Sequence, residues 1–248
     1  MSAVFLSKTN LSIWTIYNKR DVLLSPMFVA NSRASDLKFY NLIMKILYVH
    51  GLSSSGASNT AETLRRLLPN ATVISPDLPA DPDEALALLR NIVATENIDI
   101  AVGTSMGGMF AQKLRGTKKI LVNPAFHVSQ SMRKRLGVNP FYGVRADGAT
   151  EYEITPEMCD RYELLESTQF DALPPTERDI TIGLFGTEDT TVDCSAEFMQ
   201  YYAQLHTFRG GHRLNETVIK EVLLPLIRQL SESCLSEMNP VFLHVNKG

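Results

Sequence analysis

The sequence predicts an α/β fold, in which a mostly parallel sheet of about six strands carries helices on both faces. From Met44 onward, short apolar runs alternate with helical patterns, as in chains whose parallel strands are joined by helices. Between one such run and one such helix stands Gly103–Gly107, which has the sequence Gly-Thr-Ser-Met-Gly. Strand, tight turn and helix form the context that a G-x-S-x-G motif requires.

Six segments have the short, β-rich apolar character of buried strands. These predicted strands are Lys45–Val49, Thr72–Ser75, Asp99–Thr104, Lys119–Asn123, Thr181–Gly186 and Gln204–Phe208. Five longer segments have helical spacing of apolar residues. These predicted helices are Asn59–Leu68, Pro82–Glu96, Met106–Arg115, Asp193–Gln204 and Leu214–Ser231. In the second helix, Pro82 stands near the first helical position, which proline favours.

The segment 126–175, between the fourth and fifth predicted strands, is interpreted as a lid insertion. It contains Met132, Phe141, Tyr142, Tyr152, Met158, Tyr162 and Phe170. We expect these side chains to form a small satellite core, with an apolar acyl or alcohol pocket as the alternative. The basic run 133–135 is interpreted as a solvated helix face, and anion binding is its alternative.

Ser105 is the candidate nucleophile. Its position in a strained turn requires small residues two positions before and after it, and Gly103 and Gly107 meet that requirement. The turn lifts the hydroxyl clear of the sheet and directs the following helix N-terminus at the reaction centre.

A serine hydroxyl needs a base to take its proton, and the base is usually a histidine held by a carboxylate. Four histidines follow Ser105: His127, His206, His212 and His244. His212 is the predicted base, because Gly210 and Gly211 let its loop bend back over the sheet. His206 lies within a predicted strand, His244 lies in the tail, and His127 is a candidate pocket residue.

The acid is expected at the end of the strand Thr181–Gly186. The pattern G-x-x-D-x-x-V that follows this strand selects Asp189, with Glu188 and Asp193 as alternatives. Asp193 precedes a helical pattern and is predicted to be a helix N-cap.

Two backbone N–H groups are needed to hold the negative charge that develops on the carbonyl oxygen. One is predicted to be that of Met106, the residue after the nucleophile. The other is predicted to be that of Leu52, in the loop 50–56 after the first strand. His50 is then a structural residue beneath this loop, and Ser53 is a possible hydroxyl donor.

Together these motifs resemble those of the α/β-hydrolase superfamily, and more narrowly those of the small YqiA-like esterases. The resemblance covers roughly residues 44–230 and rests on five segments. They are Leu47–Ser55, Ser75–Pro79, Gly103–Gly108, Val122–Ala125 and Gly210–His212. The resemblance implies a compact serine esterase that acts on small acyl esters or thioesters.

The sequence therefore predicts a serine esterase in which Ser105, Asp189 and His212 form a catalytic triad. Two alternatives use the same fold. An acyltransferase would pass the acyl group to an acceptor other than water, and a non-catalytic protein would only bind a small molecule in the hydrolase pocket.

Three regions are expected along the chain: an extension outside the core (1–43), the hydrolase domain (44–232) and a tail (233–248). The extension is rich in basic residues, and Met44 leads at once into the first strand. A chain that begins at Met44 is therefore expected to fold.

The composition is that of one globular domain of 248 residues, with 44% hydrophobic and 21% charged residues. A net charge of −3 gives no sign of a nucleic-acid or membrane partner. The three cysteines, Cys159, Cys194 and Cys234, are widely spaced, which indicates neither a disulfide framework nor a zinc site. No cofactor is predicted, and a cytoplasmic location is the simplest interpretation.

Overall fold

Six parallel strands form the central sheet of the computed structural model, which describes residues 43–238. They are β1 (Met44–Val49), β2 (Ala71–Ile74), β3 (Ile100–Thr104), β4 (Lys118–Val122), β7 (Thr181–Gly186) and β8 (Gln204–Phe208). Their order across the sheet is β2-β1-β3-β4-β7-β8. A separate antiparallel hairpin contains β5 (Gly137–Pro140) and β6 (Glu151–Ile154). The predicted α/β fold with a parallel sheet of six strands is confirmed.

Helices lie between and after the strands. They are α1 (Asn59–Leu67), α2 (Pro82–Glu96), α3 (Met106–Gln112), α4 (Val128–Met132), α5 (Pro156–Ser167), α6 (Ser195–Tyr201), α7 (Glu216–Val218) and α8 (Leu224–Met238). Helix α2 begins where it was predicted, because the Asp81 carboxylate accepts hydrogen bonds from the N–H groups of Asp83 and Glu84.

The last helix is longer than expected. A π-helical turn, Ile219–Leu223, joins α7 to α8, and α8 continues to Met238. Residues 233–238, which were assigned to the tail, are therefore helical. The next proline in the sequence is Pro240, and no earlier helix breaker follows Pro225.

Alternate residues of each strand enter two different cores. On one face, Leu47, Ala101 and Leu121 pack with apolar residues of α2, α3, α5 and α6. On the other face, Ile46 and Val102 pack with apolar residues of α1 and α8. Since both faces of every central strand are covered, the strands are continuous apolar runs in the sequence.

Several residues of the segment 126–175 are part of the first of these cores. Met132 of α4, together with Cys159 and Tyr162 of α5, is fully buried in it. The Tyr162 ring meets the Phe110 ring of α3 edge to face, with 6.0 Å between ring centroids. The expectation of a separate satellite core is therefore wrong, because α5 packs directly on the helices that cover the sheet.

The basic run 133–135 forms a 3-10 turn, and Arg133 makes exposed ion pairs with Asp160 and Glu163 of α5.

No helix among residues 43–238 has the length and apolarity needed to cross a bilayer. The expected extension lies outside the described residues except for Ile43, and so do residues 239–248 of the expected tail.

A fully buried ion pair joins the turn Pro175–Arg178, which precedes β7, to the sheet. Lys119 of β4 donates to the Glu177 carboxylate, which also accepts the N–H of Gly116, and both side chains have no exposed surface. Burial lowers the pKa of Lys119, while the neighbouring Glu177 raises it in part. The charge of Lys119 therefore depends on its partner.

Replacing Glu177 by alanine is expected to lower the free energy of unfolding by about 3–5 kcal/mol, because it leaves a buried ammonium group unpaired. Urea unfolding measures the loss. The double variant Lys119→Met, Glu177→Leu is the control and is expected to recover most of the stability. A single variant within about 1 kcal/mol of the wild type would contradict the prediction.

Candidate active site

The candidate site lies where the strand order changes direction. The chain leaves the carboxyl end of β1 toward β2, on one side, and leaves the carboxyl end of β3 toward β4, on the other side. The connections after β1 and β3 therefore run in opposite directions. In open parallel sheets, ligands bind in the crevice at such a switch point. Here the two loops meet, since a Cβ placed on Gly51 would lie 3.3 Å from Cβ of Ser105.

Ser105 occupies a strained turn between β3 and α3. Its φ is 55° and its ψ is −122°, a conformation that non-glycine residues seldom adopt. The Ser105 N–H donates to the carbonyl of Val122 at 3.0 Å, which ties the turn to the end of β4. A Cβ at Gly107 would overlap the carbonyl oxygen of Val49. The turn therefore requires a glycine there, as predicted.

The three residues expected to form a triad are brought together. The Ser105 hydroxyl lies 2.9 Å from Nε2 of His212, and Nδ1 of His212 lies 2.7 Å from Oδ2 of Asp189. An ionised carboxylate only accepts hydrogen bonds, so Nδ1 carries the proton and Nε2 is free to accept from the serine. The Asp189 side chain is 3% exposed and that of His212 is 21% exposed, which places the acid inside and the base at the surface of the site.

Asp189 is held by its own loop. Its second oxygen, Oδ1, accepts the N–H groups of Thr191 at 2.7 Å and Val192 at 3.1 Å. These bonds fix the orientation of the carboxylate and leave Oδ2 for His212.

The two alternative acids have other partners. The Glu188 carboxylate is exposed and pairs with Arg209. Asp193 accepts both the N–H and the hydroxyl of Ser195, the first residue of α6. The N-cap residue of α6 is Cys194, so the prediction that Asp193 is the N-cap is wrong by one residue. Asp193 nevertheless accepts the N–H of the first helical residue.

The remaining histidines within the described residues are elsewhere. His127 is exposed, and its Nε2 lies 2.8 Å from the Glu197 carboxylate. His206 is a half-buried residue of β8. His50 lies beneath the loop 50–56 as expected and is 2% exposed. His244 lies outside the described residues.

The two predicted oxyanion donors border the nucleophile. Met106 opens α3, and the first N–H groups of a helix have no partner within it. Leu52 follows Gly51, the residue next to Ser105. Among the backbone hydrogen bonds of the described loops, neither the Leu52 nor the Met106 N–H is a donor. Neither N–H group is thus committed to a backbone carbonyl of these loops.

The β5–β6 hairpin holds the loop that carries Leu52, a contact that the sequence did not reveal. The Ser53 hydroxyl is 2.8 Å from the Tyr152 hydroxyl, and the Ser53 carbonyl accepts the N–H of Tyr142 at 2.8 Å. Ser53 itself has a left-handed backbone, with a φ of 61°. Its hydroxyl therefore binds the hairpin, whereas it was considered as an oxyanion donor.

Asp77 and Arg145 extend this contact. The Asp77 carboxylate accepts the N–H of Gly56 at 2.7 Å and that of Ala146 at 2.6 Å. Arg145 is buried, donates to the carbonyl of Leu78 and lies 4.1 Å above the Phe141 ring. The hairpin and the loops after β1 and β2 thus form one hydrogen-bonded assembly behind Leu52.

His50 is neutral within this assembly. Its Nδ1–H donates to the carbonyl of Gly51 at 2.9 Å, and its Nε2 accepts the N–H of Leu78 at 3.1 Å. Burial, with a smaller contribution from the positive charge of Arg145, lowers the pKa of His50 below its ordinary value of 6.5.

Acidification is expected to remove stability through His50. Below about pH 6.5 the unfolded chain takes up a proton at His50 that the folded chain does not, so the free energy of unfolding falls as the pH falls. In urea titrations between about pH 7.5 and pH 5, the stability advantage of the wild type over His50→Gln should shrink toward acid. A difference that is constant with pH would contradict the prediction.

Asn123, the residue after β4, is a further side chain whose contacts the sequence did not reveal. It is 1% exposed, and its amide binds both the last residue of β7 and the loop after β8. The sequence contained one signal, the run Val122–Ala125, but only as part of a resemblance.

Among residues 43–238, no group of three or more potential ligands is arranged to hold a metal ion.

A protein-family model, described as "Uncharacterised protein family (UPF0227)", matches residues 45–216, which is more than half of the chain. The chain belongs to this family. The matched region contains the three residues of the candidate triad and both predicted oxyanion donors.

Solved structures of α/β-hydrolases have the same fold. Est1E from Butyrivibrio proteoclasticus is 12% identical, with a TM-score of 0.52 over 77% of this chain and 89% of its own. Alpha/beta hydrolase domain-containing protein 10 from mouse is 14% identical, with a TM-score of 0.55 over 77% and 90%. A monoacylglycerol lipase from Paleococcus ferrophilus is 12% identical, with a TM-score of 0.54 over 75% and 93%. These similarities show that the chain has the α/β-hydrolase fold.

Proposed function

We propose that this protein is a serine esterase that hydrolyses small acyl esters or thioesters through an acyl-enzyme intermediate. The observation that carries the proposal is the hydrogen-bonded series from Ser105 Oγ to His212 Nε2, and from His212 Nδ1 to Asp189 Oδ2, at 2.9 and 2.7 Å. A strained turn that presents the serine, together with two N–H groups beside it that bind no backbone carbonyl of the described loops, supports the same chemistry.

Each residue has one role in the proposed reaction. His212 Nε2 takes the Ser105 proton as Oγ attacks the carbonyl carbon, and the N–H groups of Leu52 and Met106 hold the oxyanion. The protonated His212, stabilised by Asp189, then gives its proton to the departing alcohol or thiol. A water molecule, deprotonated by His212, attacks the acyl-enzyme, and the proton returns to Ser105 as the acid leaves.

The packing of the insertion supports a small acyl group. Met132 and Tyr162, two of the side chains considered for an acyl pocket, are instead buried in the core that also contains α3. The Tyr162 hydroxyl donates to the carbonyl of Ala80 and lies 3.6 Å from Sδ of Met106. The side chain of Tyr162 therefore packs against that of Met106, the residue next to the nucleophile.

A panel of p-nitrophenyl esters and acyl thioesters of increasing chain length tests the proposal. The expected result is turnover that is highest for the shortest acyl groups and absent in Ser105→Ala. Added alcohols or amines distinguish transfer from hydrolysis, because a transferase would form new esters or amides. Saturable binding of these compounds without turnover would instead indicate a non-catalytic binding protein and would overturn the proposal.

The remaining expectations belong to the same proposal. The domain of residues 44–232 is proposed to contain the whole hydrolase core, and the partner is a small-molecule substrate with no nucleic acid or membrane involved. A cytoplasmic location is proposed because Cys159 and Cys194 are free thiols in the described part of the chain.

A further inference from the structure

Asn123 has an unusual backbone and a complete set of buried hydrogen bonds. Its φ is 41°, in the left-handed region that asparagine tolerates better than most residues. Its side-chain oxygen accepts the N–H of Gly186 at 2.7 Å. Its side-chain nitrogen donates to the carbonyls of Gly211 at 3.2 Å and His212 at 3.1 Å.

The partners leave only one orientation for this amide. The N–H of Gly186 can only donate, and the carbonyls of Gly211 and His212 can only accept. A side chain that binds all three groups must therefore present an oxygen to the Gly186 N–H and an N–H₂ group to the two carbonyls. Among the amino acids of similar size, only asparagine does both and also tolerates a positive φ.

The bonded groups belong to the loops that carry the acid and the base. Gly186 ends β7, and its carbonyl accepts the N–H of Asp189 at 3.2 Å. The two loops are also in direct contact, since a Cβ on Gly186 would lie 2.5 Å from the Gly210 carbonyl oxygen. The Asn123 side chain thus reaches both loops where they meet.

The backbone on either side of Asn123 binds the nucleophile turn. The Val122 carbonyl accepts the N–H of Ser105 at 3.0 Å, and the N–H of Ala125 donates to the Ser105 carbonyl at 3.0 Å. The segment 122–125 is therefore bonded to all three triad loops, and Asn123 supplies the side-chain part of that connection.

We infer that Asn123 is a positioning residue, which holds the His212 and Asp189 loops in register with Ser105. This inference rests on the proposed function. Asn123 does not touch the reacting atoms and acts through the His212–Asp189 pair. Loss of its amide lets that pair shift relative to the serine, and a shift of about 1 Å at a catalytic group costs about 10²-fold in rate.

Asn123→Gly is the most informative variant, because glycine accepts the positive φ and removes only the side chain. The expected result is a kcat lowered by about 10²-fold, with KM within about twofold of the wild type. Asn123→Asp is expected to be no better, since a carboxylate cannot donate to the two carbonyls. Full activity in Asn123→Asp would overturn the inference.

Asn97→Gly is the matched control. Asn97 is also left-handed, with a φ of 51°, but it is an exposed residue at the end of α2. This variant is expected to keep wild-type kcat. A thermal unfolding curve of each variant confirms that the rate is measured on folded protein.

A double-mutant cycle separates positioning from a general structural role. In the Asp189→Asn background, removal of the Asn123 side chain should lower kcat by less than about threefold, because the pair it positions is already disabled. An equal fold decrease of kcat in the wild-type and the Asp189→Asn backgrounds would overturn the inference.

One readout does not depend on turnover. The His212 Nδ1–H that donates to Asp189 is expected to give a downfield proton resonance, present in the wild type and in Ser105→Ala and lost in Asn123→Gly. If no ester is hydrolysed but this pattern appears, the proposed function fails while the positioning role stands. A resonance unchanged in Asn123→Gly would overturn the positioning role.

Discussion

Replacing Ser105 by alanine is expected to lower kcat for ester hydrolysis by about 10⁶-fold, the largest effect of any substitution considered. The reason is that the Ser105 hydroxyl is the group bonded to His212 Nε2, at 2.9 Å, and alanine leaves no atom to form the acyl-enzyme. A fluorophosphonate probe, which reacts with an activated serine, measures the same property without a known substrate. The wild type should be labelled and Ser105→Ala should not.

Ser53→Ala provides the control for this experiment. Ser53 is another buried serine beside the site, but its hydroxyl binds Tyr152 and not a histidine. Its variant should still be labelled. Equal labelling of wild type and Ser105→Ala would mean that another residue reacts and would contradict the assignment of the nucleophile.

Asp189→Asn is expected to preserve the fold and to lower kcat by about 10⁴-fold, as the loss of the acid does in well-studied triads. The amide that replaces the carboxylate can present its N–H to Nδ1 of His212, which favours the tautomer with the proton on Nε2. The imidazole then cannot take the serine proton. The measurement is kcat on the best ester, beside a thermal unfolding curve.

Two neighbouring carboxylates serve as matched controls. Asp193→Asn should change kcat little, because an asparagine oxygen can still accept the N–H of Ser195. Glu188→Gln should also be silent, since Glu188 pairs with Arg209 at the surface. Activity lost only in the Asp193 variant would move the acid to that position. If all three variants were active, the triad itself would be in doubt, and a non-catalytic binding protein would be favoured.

Local sequence was sufficient to predict the strands and most helices. The four inner strands of the sheet, β1, β3, β4 and β7, are buried on both faces, so each is a short and mostly apolar run. Helix α2 was predicted with the observed bounds from the spacing of its apolar residues and from Pro82 near its start. The structure adds the cap by Asp81 and a left-handed Asn97 after the last turn. The short strands β5 and β6 were not predicted, because neither has an apolar run of useful length.

The candidate triad was predicted because its residues lie in loops with local markers. Glycines surround Ser105, two glycines precede His212, and Asp189 follows a strand at a fixed spacing from Gly186. These markers depend on the backbone geometry of each loop, which nearby residues determine. The distances between the three side chains then follow from the parallel sheet, which brings the carboxyl ends of β3, β7 and β8 to one edge.

The amino-acid sequence by itself thus determined the fold class, the strand positions and the three residues of the candidate triad. Only the tertiary structure decided which residues support them. Asn123 binds loops 63 and 88 residues further along the chain, and Tyr152 binds Ser53 across 99 residues. The burial of Met132 and Tyr162 in the main core likewise depends on where α5 packs. Spacing along the chain carries no information about such partners, because side-chain hydrogen bonds and core packing depend on distances in space between segments that the sequence keeps far apart.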